Sequence, residues 1–113
     1  MDTLNQYKGY IENILHHYAG RKPVNRPELE YQLAIDKERL QFILLAVGWH
    51  NNEFIHNWIF HVQLKGDKIW VYEDRTDPGI KVLLMERGVP EPDIVLGFLP
   101  EYERGPVSPI AVG

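Results

Sequence analysis

From Leu40 to Trp49 the chain is almost wholly apolar, reading Leu40-Gln41-Phe42-Ile43-Leu44-Leu45-Ala46-Val47-Gly48-Trp49. Such a run is too short to span a membrane and predicts a strand buried on both faces. Before it, Leu29, Tyr31, Leu33 and Ile35 alternate with Glu28, Glu30, Gln32 and Ala34, the period of a half-exposed strand. After it come Phe54 to Lys65 and Lys68 to Glu73, joined at Gly66-Asp67, where glycine suits the first central position of a hairpin turn.

The turns set the expected pairing. With Lys37-Glu38 as a two-residue turn, Ile35 faces Leu40, Leu33 faces Phe42 and Tyr31 faces Leu44 on one apolar face. Across Gly66-Asp67, Leu64 faces Ile69 and Val62 faces Val71, while Gln63 faces Trp70 and His61 faces Tyr72 on the reverse side. The loop His50-Asn51-Asn52-Glu53 leaves the next register open, and the expected one joins the two oily faces. The reverse face then gathers Ile43, Leu45, Val47, Trp49, Ile55, Ile59, His61, Trp70 and Tyr72, too much apolar surface to leave in water. A helix, the C-terminal tail or another subunit is expected to cover it.

Helical spacing appears twice. Leu4, Tyr7, Ile11, Ile14 and Tyr18 recur every three or four residues behind a capping box of Thr3 and Gln6, with Gly20 at the end and His16 and His17 in the last turn. Asp77 as N-cap, Pro78 in the first turn and Gly88 past the last predict a second helix with Ile80, Leu83 and Leu84 facing inward. Pro90 and Pro92 then precede a short apolar strand, Asp93 to Phe98, and an apolar tail ending Ile110-Ala111-Val112-Gly113 that is expected to dock. The fold class expected is α+β: a mainly antiparallel sheet of about five strands with two helices, in a single domain over residues 1–113.

Composition narrows the chemistry. The 113 residues suit one core. The absence of cysteine removes disulfides, thiolate ligands and a cysteine nucleophile, and with an N-terminus lacking a secretory pattern it suggests a cytoplasmic protein without a membrane segment. The net charge is −4, with seven Lys/Arg against seven Asp/Glu up to residue 65 and five against nine thereafter. A broad basic surface for duplex DNA is therefore not expected.

The histidines do not suggest a metal site, since His56 and His61, five apart on one strand, are expected on opposite faces. Ser108 is the only serine, Thr3 and Thr76 stand at helix starts, and no glycine-rich phosphate loop occurs. No catalytic residue, metal or cofactor is expected, and the chain does not read as an enzyme. For binding, Trp49, His61, Trp70 and Tyr72 on the reverse face resemble a stacking platform for single-stranded nucleic acid. Arg21, Lys22 and Arg26 in the proline-broken connector supply the cations for such a reading. A covered face, under a helix or against another subunit, is the competing expectation.

Several segments together resemble the XisI family, the fdxN element excision controlling factor of cyanobacteria. They are Val47-Gly48-Trp49, His61-Val62-Gln63-Leu64-Lys65 leading to Lys68-Ile69-Trp70-Val71, Gly88-Val89-Pro90, Asp93-Ile94-Val95-Leu96-Gly97-Phe98 and the closing Ala111-Val112-Gly113. Gly66-Asp67 stands where the family often has Asp-Gly, and Gly105-Pro106-Val107-Ser108-Pro109 departs from its usual tail. The resemblance implies a non-enzymatic accessory role in programmed DNA excision, with a nuclease-like XisH-like protein or the recombinase complex as partner. A homodimer is expected besides, because two helices are few for two apolar sheet faces. The alternative is a direct nucleic-acid-binding module built on the aromatic face.

Overall fold

The computed structural model describes residues 3–23 and 26–103. Helix α1 (Thr3–Ala19) turns Tyr7, Ile11, Ile14 and Leu15 into the core. Leu4 stays largely exposed and Tyr18 half-buried, so the inward stripe is displaced toward Leu15. Thr3 is the first helical residue, and the position before it lies outside the described residues.

Strands β1 (Glu30–Asp36), β2 (Gln41–His50), β3 (Glu53–Lys65) and β4 (Lys68–Asp74) form an antiparallel meander, and β5 (Ile94–Leu96) adds in parallel beside β4. Parallel neighbours need a crossover, supplied here by helix α2 (Ile80–Glu86). Both helices pack on one side of the sheet. Ile11, Ile14 and Leu15 of α1 and Ile80 and Leu84 of α2 share a core with Phe42, Leu44, Phe60, Val62, Ile69 and Val71. Arg87 ties the helices together, donating to Leu83 O (2.9 Å) and to Asn13 Oδ1 (3.0 Å). No helix among the described residues is long and apolar enough to cross a membrane.

The first turn differs from the two-residue reading of Lys37-Glu38. Asp36 Oδ1 accepts from the N–H groups of Glu38 and Arg39, both at 3.1 Å, and Leu40 takes φ +55°. These interactions make a four-residue loop. Ile35 therefore pairs with Phe42, Leu33 with Leu44 and Tyr31 with Ala46. A displacement of two residues leaves every side chain on its expected face. The Gly66-Asp67 hairpin forms as expected, with Gly66 at φ +66° and Leu64 opposite Ile69, Gln63 opposite Trp70 and Val62 opposite Val71. At the other end of β3, Asn51 and Asn52 both take positive φ (+53° and +67°), closing a two-residue turn.

Asp77 does not cap α2. Gly79 holds the N-cap position, and Asp74 reaches forward from the end of β4. Its Oδ2 accepts from Ile80 N–H at 2.8 Å, and its Oδ1 accepts from the Thr76 N–H (3.0 Å) and hydroxyl (2.6 Å). One carboxylate thus closes the strand-to-helix link. The far end of α2 finishes as the sequence suggests: Gly88 adopts φ +105° and bonds Met85 O, and Val89 N–H bonds Leu84 O. Asp74→Ala is expected to lower the free energy of unfolding by about 1–2 kcal/mol. Exposed Asp77→Ala is expected to stay within about 0.5 kcal/mol of the parent. Urea denaturation of both variants checks this, and a larger loss at Asp77 would restore it as the cap.

Candidate functional site

The helices leave the other side of the sheet uncovered among the described residues, and side-chain parity decides what stands there. On β2 that face carries Gln41, Ile43, Leu45, Val47 and Trp49, which alternate with buried Phe42, Leu44 and Ala46. Strand β3 changes parity along its length. Leu44 pairs with Phe60 but Leu45 pairs with Trp58, so Ile59 is an extra residue in a β-bulge. Its carbonyl is taken by Arg75 N–H at 2.7 Å.

The bulge overturns several expected positions. Ile55 pairs with Gly48 on the helix side, and Ile59 packs against the core instead of lying on the reverse face. Phe54, His56 and Trp58 take their places, opposite Trp49, Val47 and Leu45. His56 and His61 consequently share a face. They are separated by Trp58 and by roughly 13 Å of strand, and no cluster suited to a metal occurs among the described residues. A second bulge, at Tyr72, sets His61 opposite Glu73 rather than Tyr72.

The open face has two aromatic groups. At the Asn51-Asn52 end, Trp49 and Phe54 meet with centroids 5.4 Å apart, 63% and 52% exposed. Toward the centre, Trp58 stacks on His61 (5.7 Å, 30°), His61 abuts Tyr72 (5.0 Å), and Tyr72 stacks on Trp70 (6.3 Å, 28°). Lys65 Nζ lies 4.4 Å from the centre of the Trp70 ring. All three tryptophans of the chain thus stand on this one face.

Polar side chains fix the rings. His61 Nε2 is 2.9 Å from Gln41 Oε1. Tyr72 donates its hydroxyl to Gln63 Oε1 at 2.8 Å, and the Gln63 amide donates to Arg39 O at 3.1 Å. Gly97 crosses close above the rings. A Cβ there would lie 3.1 Å from Tyr72 Cδ1 and 3.3 Å from Trp70 Cε3, which explains a glycine between Leu96 and Phe98. Phe98, 51% exposed, follows β5 and lines a shallow cleft with Tyr72, Glu73 and Asp74.

Of the residues singled out from sequence, Trp49, His61, Trp70 and Tyr72 are on one face, with Trp49 apart from the other three. Arg21, Lys22 and Arg26 do not join them. They belong to the connector after α1, and Arg21 and Arg26 line clefts on the helix side. Trp58, Phe54 and Phe98 were missed. The signal for the first two was the Asn51-Asn52 turn: counted outward from it, Phe54 and Trp58 share a face with Trp49. Counted from Gly66-Asp67, the same strand gives the opposite parity, and only a bulge reconciles the two. The tail from 104 onward, and with it the expected docking of Ile110 to Gly113, lies outside the described residues.

A family model described as XisI protein matches residues 1–111. Two solved structures from Anabaena variabilis ATCC 29413 are similar to this one. A XisI-like protein shares 34% identity and superimposes with a TM-score of 0.80, covering 89% of this chain and 92% of its own. The fdxN element excision controlling factor XisI shares 31% identity with a TM-score of 0.75, covering 92% and 94%. No curated protein matches the chain.

Burial holds the His61 imidazole below its usual 6.5. The neutral ring is favoured in the folded state, so its contribution to stability is complete above pH 6.5 and is lost as pH falls toward the folded-state value. An NMR titration is expected to place the His61 midpoint below 6.5, and His61→Gln is expected to flatten the fall in stability over that window. A midpoint at or above 6.5 would contradict the buried, neutral ring.

Proposed function

The chain belongs to the XisI family, and from that premise we propose that it is a non-enzymatic controlling factor for the programmed, site-specific excision of a DNA element, working by binding another protein through its open sheet face. The observation that carries this reading is the gathering of Trp49, Trp58 and Trp70 on a face that neither helix covers. Exposed aromatic patches of this kind supply the anchors of protein interfaces. His61 and Tyr72 are already held by Gln41 and Gln63, so association requires little ordering of the central part of the surface.

The proposed partner is an XisH-like, nuclease-like protein or the recombinase complex that it serves. Glu101 and Glu103, exposed in the chain past β5 and without an ion pair among the described residues, add acidic groups to this part of the protein. That charge suits a partner with a basic cleft. In the free protein the same face is proposed to meet a second copy, giving a homodimer. Direct binding of single-stranded nucleic acid is the second reading, favoured by Lys65 over the stacked Trp70 and Tyr72 rings.

Tagged chain is expected to co-purify stoichiometrically at moderate salt with the XisH-like protein of the same source. Trp58→Glu is expected to weaken that complex by at least tenfold, roughly the cost of losing one interface anchor. Absence of a complex with both proteins folded would contradict the partner reading, and steeply salt-dependent DNA binding by the isolated chain would favour the second. For self-association, light scattering at micromolar concentration is expected to give a dimer that Trp58→Glu dissociates, whereas a monomeric parent would overturn it.

A further inference from the structure

The helix side of the sheet holds a cleft that the sheet-face reading does not use. It opens between the end of α1, the connector and strands β1 to β3, with a volume of about 480 Å³, within the range of small-ligand sites. Tyr18 and Tyr31 form an aromatic wall, meeting edge to face with centroids 6.2 Å apart. The bulge adds Ile59 to the lining, and Ala46 is the small partner that leaves space at the floor.

Opposite Ala46 on β3 is Asn57, a half-buried amide on the strand face that also carries Ile55. No side chain among the described residues hydrogen-bonds it. A carboxamide in that position offers two donors and an acceptor in one plane, a match for the edge of a planar heteroaromatic ring. Two guanidinium groups share the cleft. Arg26 lies within electrostatic reach of Glu28 but makes no side-chain hydrogen bond among the described residues, and Arg75 engages Glu73 through Nε (2.9 Å), which leaves its terminal nitrogens available. Arginine forks suit phosphate oxygens. Asp77 on the wall, Glu73 on Arg75 and Glu28 near Arg26 offset the two guanidinium charges, so the cleft suits at most a single phosphate and not a polyphosphate.

We propose that this cleft binds a nucleoside monophosphate unit, with its base against Tyr18 and Tyr31, its edge read by Asn57, and its phosphate held by Arg26 and Arg75. The unit is supplied either by a free nucleotide or by the phosphorylated end of a strand. Because the cleft and the aromatic face lie on opposite sides of the sheet, this site stands or falls independently of the protein-partner reading.

The test titrates the full chain with adenosine 5′-monophosphate, adenosine, inorganic phosphate and a 5′-phosphorylated oligothymidylate. Affinity is read by calorimetry and site by the NMR resonances of the Asn57 side-chain amide. The mononucleotide or the oligonucleotide is expected to saturate and to shift that amide, and the tighter of the two identifies the source. Inorganic phosphate and adenosine are each expected to bind at least tenfold more weakly, about one charge-assisted or stacking interaction. Arg26→Gln and the nearly isosteric Asn57→Asp are each expected to cost about tenfold, while Arg39→Gln, at the β1–β2 turn, is expected to change nothing. The proposal is overturned if neither probe shifts the Asn57 amide at millimolar concentration, if phosphate alone binds as tightly, or if folded Arg26→Gln keeps parental affinity.

Discussion

Between Leu44 and Leu45 of β2, strand β3 carries one residue more than its neighbour, and the face of the molecule depends on where that residue lies. On the Gly66-Asp67 side of Ile59, the residues Phe60, Val62 and Leu64 point to the helices; on the Asn51-Asn52 side, Phe54, His56 and Trp58 point away from them. Without the bulge, one of those two sets would be reversed, either burying Trp58 under α1 or expelling Phe60 from the core. Ile59 and Phe60 can both contribute to the helix side because a bulge aims successive side chains the same way. The Ile59 carbonyl that the ladder cannot use is taken by Arg75, so the irregularity leaves that acceptor satisfied.

From this constraint follows a molecule with two unlike sides. One packs Ile11, Ile14, Leu15, Ile80 and Leu84 onto the sheet and leaves the Tyr18 cleft at its margin. The other presents aromatic rings seated on a layer of glutamines. Gln41 and Gln63 are polar residues on strands that otherwise bury apolar groups, and their hydrogen bonds to His61 and Tyr72 give them a role in holding the rings rather than in the core. Gly48 is as necessary on the helix side. At φ +148°, it leaves room for Leu29, whose Cδ2 would lie 3.0 Å from an added Cβ.

Much of the fold was legible because it rests on local signals. The periodicity of α1, the alternation of β1, the glycines at Gly66 and Gly88 and the prolines before β5 each act within a few residues. Features that depend on which side chain reaches a backbone group, or on a bulge, were not legible. Asp77 has the composition of an N-cap, yet Asp74, six residues before Ile80, supplies the acceptor. The side-chain hydrogen bonds of Asp36 turned an expected two-residue turn into four. For the site, Trp49, His61, Trp70 and Tyr72 were placed on the right face, while Trp58 was concealed by a bulge that neither turn alone reveals. The connector arginines were grouped with the aromatics on chemistry, and the sheet separates them. Function came from the family resemblance, since no cluster of reactive side chains pointed to a reaction.

Because every tryptophan of the chain stands on the open face, tryptophan emission reports on that surface with no background from the core. The direct measurement is acrylamide quenching of the XisI-family chain, free and with a tryptophan-free variant of the proposed XisH-like partner. A blue-shifted emission and a marked loss of quenching on complex formation are expected if the aromatic face is the contact. A stoichiometric complex in which the tryptophans stay as accessible as before would place the contact elsewhere and contradict the role given to this face.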